Sequence, residues 1–139
     1  MSIDFTTDHG KRTLEELTTQ PVIWLTTLGG NGFPQPNLVW FVYENDAIVI
    51  YTRPGAARLR HILKNPHVSL NFNSDPEGHQ QTVLLGTIEQ DASIPPVAGN
   101  STYVQKYSDA ITGMGGTVET FSEQYSVPLR VNLTGLRGF

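Results

Sequence analysis

The 139-residue sequence contains no cysteine. That absence removes disulfides, thiolate catalysis and cysteine-ligated zinc or iron–sulfur centres from the functions open to it. An excess of positive charge is missing as well. Nine Lys and Arg face 13 Asp and Glu, a formal charge of −4 with a pI near 5.4, so no global positive field draws the chain to nucleic acid. No stretch approaches the roughly 20 apolar residues of a membrane span, and the first residues lack a basic start followed by an apolar run. The default address is the cytoplasm, with no membrane partner. Catalytic signatures are scarce too. There is no Gly-x-Ser-x-Gly elbow and no P-loop, and the four histidines show neither His-Glu-x-x-His spacing nor a converging carboxylate cluster, so no metal site is expected.

What is present is the composition of a folding chain, 38% apolar and 16% charged. A chain of this length suits one domain, residues 1–139, burying roughly two-thirds of its unfolded surface. Thr13-Leu14-Glu15-Glu16 has the form of a capping box, which predicts a short helix near residues 9–19. Apolar and β-branched runs predict strands over 22–28, 37–43, 47–52, 67–73 and 81–89, with a closing strand over 127–134. Gly29-Gly30-Asn31-Gly32 supplies turn chemistry, and Pro34 and Pro36 suit a sheet edge. Helices are expected over 57–64, 100–112 and 117–125. Trp24 reads as core, and strand alternation puts Trp40 and Phe41 on opposite faces. About six short antiparallel strands with a few short helices predict a mainly β fold, a barrel in preference to an immunoglobulin-like sandwich.

The window Tyr51-Thr52-Arg53-Pro54-Gly55-Ala56-Ala57-Arg58-Leu59-Arg60-His61-Ile62-Leu63-Lys64-Asn65-Pro66 carries the chemistry. A strand ending in a hydroxyl runs into a short helix bearing Arg58, Arg60 and Lys64, an arrangement that lets cations and Thr52 converge on an anion such as a phosphate. The same cations on a solvated helix face are the plain alternative, and tyrosines 103, 107 and 125 read as packing. The window resembles the pyridoxamine 5′-phosphate oxidase-like superfamily of split β-barrels, with Tyr51-Thr52, Arg58, Ile62 and Asn65-Pro66 in register. Gln81 to Gly86 resembles that superfamily's glutamine strand. Asn37 to Val42 resembles the strand where the oxidase carries an arginine and a lysine, both absent here. Ala57 replaces a second basic residue.

The resemblance implies that Thr52 and Arg58 hold a cofactor phosphate and that Gln81 contacts a flavin-type ring. Arg53 is a further candidate beside Thr52, and Lys64, with Arg60, either lines a groove for an acidic cofactor tail or is ordinary surface. Asn37-Leu38-Val39-Trp40-Phe41 and the C-terminal Pro128 to Phe139 look most like the branch that uses the deazaflavin F420, which makes Asn37 and Trp40 candidate cofactor contacts. The expected function is F420-dependent hydride transfer to or from a small organic substrate, in a homodimer with a cofactor between two barrels. The alternatives are an FMN oxidase or reductase, and a non-catalytic F420, flavin or tetrapyrrole binder. The cofactor carries the chemistry in such enzymes, so no catalytic side chain is named.

Overall fold

The computed structural model describes residues 3–139. Helix α1 (Asp8–Thr19) is opened by Thr7, which has an extended backbone and whose side-chain hydroxyl accepts the Gly10 N–H at 2.9 Å. The capping box expected at Thr13 is one helical turn and a half too late. Thr13 lies inside the helix and donates to the His9 carbonyl, while Glu16 accepts a hydrogen bond from Thr82 at 2.6 Å and ties the helix to the sheet.

The strands are β1 (Ile23–Leu28), β2 (Pro34–Val39), β3 (Val42–Glu44), β4 (Ala47–Thr52), β5 (His67–Asn71), β6 (Thr82–Gln90) and β7 (Val127–Gly138). They form one seven-stranded antiparallel sheet in the order β2-β1-β5-β6-β7-β4-β3. The strand expected over 37–43 is therefore two. β2 is one edge of the sheet and β3 the other, yet only Trp40 and Phe41 separate them in sequence. That link reaches at most about 10 Å. The edges of a flat seven-stranded sheet would stand about 29 Å apart, so the sheet must curl until they nearly meet. The result is a split β-barrel, with Pro34 and Pro36 on an edge strand where the missing N–H groups cost little.

Alternation fills the barrel from Ile23 and Leu25 on β1, Val68 and Leu70 on β5, and Leu129 and Val131 on β7. Trp24 is not among them. With Ile23 and Leu25 taking the inward positions, it falls on the outer side of β1, where its indole N–H donates to Asn73 at 3.0 Å. Phe41 points into the barrel and Trp40 away from it, as alternation requires. Where β6 meets β7 the ladder shifts between Leu85 and Gly86, and a Cβ on Gly86 would lie 2.6 Å from the Asn132 carbonyl oxygen. Only glycine permits that approach.

β4 is buried at every position, so it is covered on both faces. Ile48 and Ile50 face the barrel interior; Val49 and Tyr51, with Val42, face a second core built from a 3-10 turn (Val97–Gly99) and helix α3 (Ser101–Gly113). Helix α2 (Ala57–Lys64) follows β4, and helix α4 (Val118–Gln124) completes the outer layer. Asn100 starts α3 by accepting the Tyr103 N–H, and Thr117 caps α4 in a reciprocal bond pair with Thr120. The closing strand runs four residues beyond its expected end, to Gly138. No helix among the described residues is long and apolar enough to cross a membrane.

Candidate functional site

Thr52 is the last residue of β4, and Arg53-Pro54-Gly55 turns the chain into α2, the Ala56 N–H reaching back to the Arg53 carbonyl at 3.1 Å. The turn sets Arg58, in the first turn of α2, beside Thr52. Both border a cavity of about 350 Å³ between the sheet and the outer helices. Leu38, Trp40 and Tyr51 form its sheet side; Tyr103, Phe121 and Tyr125 form its helix side. A second hollow of about 500 Å³, bounded by Arg53 and Gly55, shares Thr52, Arg58 and Tyr125 with the first, so the two make one cleft.

Arg58 is half-buried, and loss of solvent pulls its pKa below the ordinary arginine value. It stays charged, because a guanidinium is not deprotonated in a protein. Among the described residues it pairs with no carboxylate, and the Thr52 hydroxyl makes no hydrogen bond. A partly desolvated cation facing a cavity without a counter-ion, next to a free hydroxyl, is a place for an anion. Arg53 adds a second cation to the rim, its guanidinium 5.0 Å over the Tyr125 ring.

Trp40 stacks on Tyr107 at 4.5 Å and on Phe121 at 5.4 Å, and Phe121 stacks on Tyr125 at 4.3 Å. Its ring therefore belongs to a packed aromatic row that walls the cavity. Tyr107 fixes this row to the barrel seam, accepting the Phe41 N–H at 2.8 Å and donating to the Pro21 carbonyl at 2.7 Å.

Within one chain the fold thus brings together Thr52, Arg53, Arg58 and Trp40. It does not bring the other candidates there. Lys64 is exposed at the far end of α2, about 9 Å along the helix from Arg58. Asn37 is exposed on β2 and alternates away from Leu38. Gln81 lies at the other end of the molecule: Thr52 pairs with Val127 at the start of β7, whereas Thr82 pairs with Gly138 at its end, roughly 35 Å of strand away. Its side-chain amide donates to the Gly78 carbonyl at 2.9 Å. Sequence reasoning missed Leu38, Tyr51, Phe121, Met114 and the two tyrosines of the wall. It also missed a carboxylate cluster, since Asp75 and Glu77 converge on His79, their ligand atoms all within 4.8 Å of one another, in an exposed loop that shares no residue with the cleft.

A curled seven-stranded sheet with its cleft beside the seam is a split β-barrel of the flavin-binding type of architecture. Solved structures share the fold. The chain is similar to the conserved hypothetical protein Rv2991 from Mycobacterium tuberculosis, at 18% identity over 93% of this chain and 82% of that one, with a TM-score of 0.72. It is similar to an F420 reductase at 21% identity over 88% and 94% of the two chains, TM-score 0.64. The heme storage protein HutZ from Vibrio cholerae is 15% identical over 92% of each chain, TM-score 0.62. No curated protein matches the sequence. The profile of the pyridoxamine 5′-phosphate oxidase family matches residues 10–122, and the chain belongs to that family.

Proposed function

We propose that this chain is an oxidoreductase that binds the deazaflavin F420 and passes hydride between it and a small organic substrate. The observation that carries the reading is the unpaired, half-buried Arg58 beside the free Thr52 hydroxyl at the mouth of an aromatic cavity. These residues fit a phosphate: Arg58 offers a planar fork of donors, Thr52 a hydroxyl that can rotate to suit. Arg53, Arg60 and Lys64, all exposed near the same helix, suit the screened attraction of an acidic tail. When bound, the deazaflavin supplies the hydride chemistry at its C5. The aromatic row excludes water from the cavity and sets its width.

Ala57, exposed at the first position of α2, puts no second basic side chain directly beside Arg58, which favours F420 over FMN. The distance of Gln81 from Thr52 supports a homodimer in which a second copy brings its glutamine to the cofactor, and the exposed apolar Leu38 and Met114 at the cavity supply surface for it to cover. Titration of the purified protein with F420 and with FMN, read by cofactor fluorescence, tests the reading. F420 binds more tightly in this scheme; FMN binding as tight or tighter overturns it.

A further inference from the structure

The two edges of the sheet meet without pairing. β2 and β3 stand at opposite ends of the strand order, and among the described residues no backbone ladder joins them. The Trp40-Phe41 link bridges them, and the Phe41 peptide finds its partners on α3 instead of on a strand. Its N–H donates to the Tyr107 hydroxyl at 2.8 Å, and its carbonyl accepts from Lys106 Nζ at 2.9 Å. The Tyr107 proton has two carbonyls in reach, Pro21 at 2.7 Å and Phe41 at 2.9 Å. With Lys106 in place, two donors serve these two acceptors. With Lys106 swung into solvent, one hydroxyl proton serves both, and one carbonyl is left unmet by the protein.

Lys106 is half-buried, and it reaches the link on a flexible stem that can also carry its amine to water. The link and the chain entering β1 present no charge to it, since Trp40, Phe41 and Pro21 are neutral. On α3 itself, Tyr107 is a phenol that burial keeps protonated, and the exposed Asp109 makes no ion pair with it. The Phe41 ring, centred 3.8 Å from Nζ, returns part of what an ammonium loses on leaving water. Burial still outweighs it, and the Lys106 pKa falls from 10.5 to about 8. In solvent the amine recovers its ordinary value. A bound proton therefore favours withdrawal of the side chain, and loss of that proton favours its engagement.

We propose that α3 is a clasp on the seam of the barrel and that Lys106 is its releasable catch, tightened as the neutral amine and loosened by protonation. The neutral amine keeps two N–H donors, enough for the Phe41 carbonyl. Trp40 precedes Phe41 and lies parallel to the Tyr107 ring at 4.5 Å, so the cavity wall it forms hangs on the same contacts. Release of the catch admits water to the Phe41 peptide at the one place where no strand stands beside it. The device is independent of which cofactor the cavity takes.

Hydrogen exchange at the Phe41 amide, read by NMR, tests the clasp, with the buried Leu70 amide of the inner strand β5 as the gauge of global unfolding. Phe41 should exchange through a local opening, its protection roughly tenfold or more below that of Leu70. After correction for the intrinsic rate, that protection should rise roughly tenfold from pH 7 to pH 9, as the engaged Lys106 loses its proton. In Lys106→Met, which keeps an unbranched apolar stem but has no donor and no proton to lose, protection at pH 9 should be roughly tenfold lower. It should also cease to follow pH. Phe41 protection equal to that of Leu70 overturns the clasp, because the seam then opens only with the whole fold. Protection that is the same in Lys106→Met, or that ignores pH in the unaltered protein, removes Lys106 as the catch. The pH series on the unaltered protein decides the matter even if Lys106→Met fails to fold.

Discussion

Arg58 and Lys64 share a helix, but one is half-buried against a cavity and the other is in solvent. A charge-assisted bond to a phosphate from the first position is worth on the order of 1.5–3 kcal/mol, or roughly ten- to hundredfold in affinity. Arg58→Ala should therefore weaken F420 binding by that factor at low and at high salt alike. Lys64→Ala and Arg60→Ala should matter less, and their effect should fade as salt rises. Fluorescence titrations at two ionic strengths check this, and a larger loss from Lys64→Ala than from Arg58→Ala would move the phosphate elsewhere. Thr52 and Arg58 were legible in the sequence because a strand, a tight turn and a helix start lie within seven residues, so their meeting is a local event. Tyr103, Phe121 and Tyr125 meet them only through the folding of the outer layer. One signal did point there: Ala47 to Tyr51 is apolar without alternation, the mark of a strand covered on both faces, and something from the remaining sequence had to cover it.

At the scale of elements, α3 is joined to the barrel seam through Lys106 as well as Tyr107. Its ammonium donates to the Phe41 carbonyl at 2.9 Å and stands 3.8 Å from the Phe41 ring centre, and burial lowers its pKa from 10.5 to about 8. Between those values the unfolded chain holds a proton that the folded chain has released, so this residue makes stability rise with pH from about 8. Tyr103 and Tyr107 act in the opposite sense above 10, where the unfolded phenols ionise and the buried ones do not. The urea midpoint should accordingly increase between about pH 7 and pH 9.5, and Lys106→Met should flatten that increase. A midpoint that moves identically in both proteins would assign the effect to other groups. Helix positions and the Val68, Leu70, Phe72 alternation could be read from local pattern. The break at Trp40-Phe41 could not, because those residues continue an apolar run and only closure of the sheet turns them from strand into link. Thr13-x-x-Glu16 misled for a related reason: a capping pattern can occur inside a helix, where its hydroxyl simply bonds backward to the preceding turn.

For the whole molecule, the separation of Gln81 from Thr52 along β7 gives the proposed homodimer a genetic signature. If each cofactor takes Arg58 from one copy and Gln81 from the other, Arg58→Ala and Gln81→Ala chains refolded together should regain roughly a quarter of the cofactor sites, all of them in mixed dimers, although each variant alone is impaired. Titration of F420 against the mixture and against each variant reads this out; no recovery would place both residues on the same site of one chain or on none. The position of β7 also governs timing. It lies between β6 and β4 and pairs with both, from Thr52↔Val127 to Thr82↔Gly138. Until it exists, β2-β1-β5-β6 and β4-β3 are separate ribbons with no hydrogen bonds between them. Because β7 follows every other strand of the sheet in sequence, it leaves the ribosome after them, and the edges of β4 and β6 that it will pair stay open until it does. The barrel cannot close progressively as it is made; it closes once, when its final strand arrives.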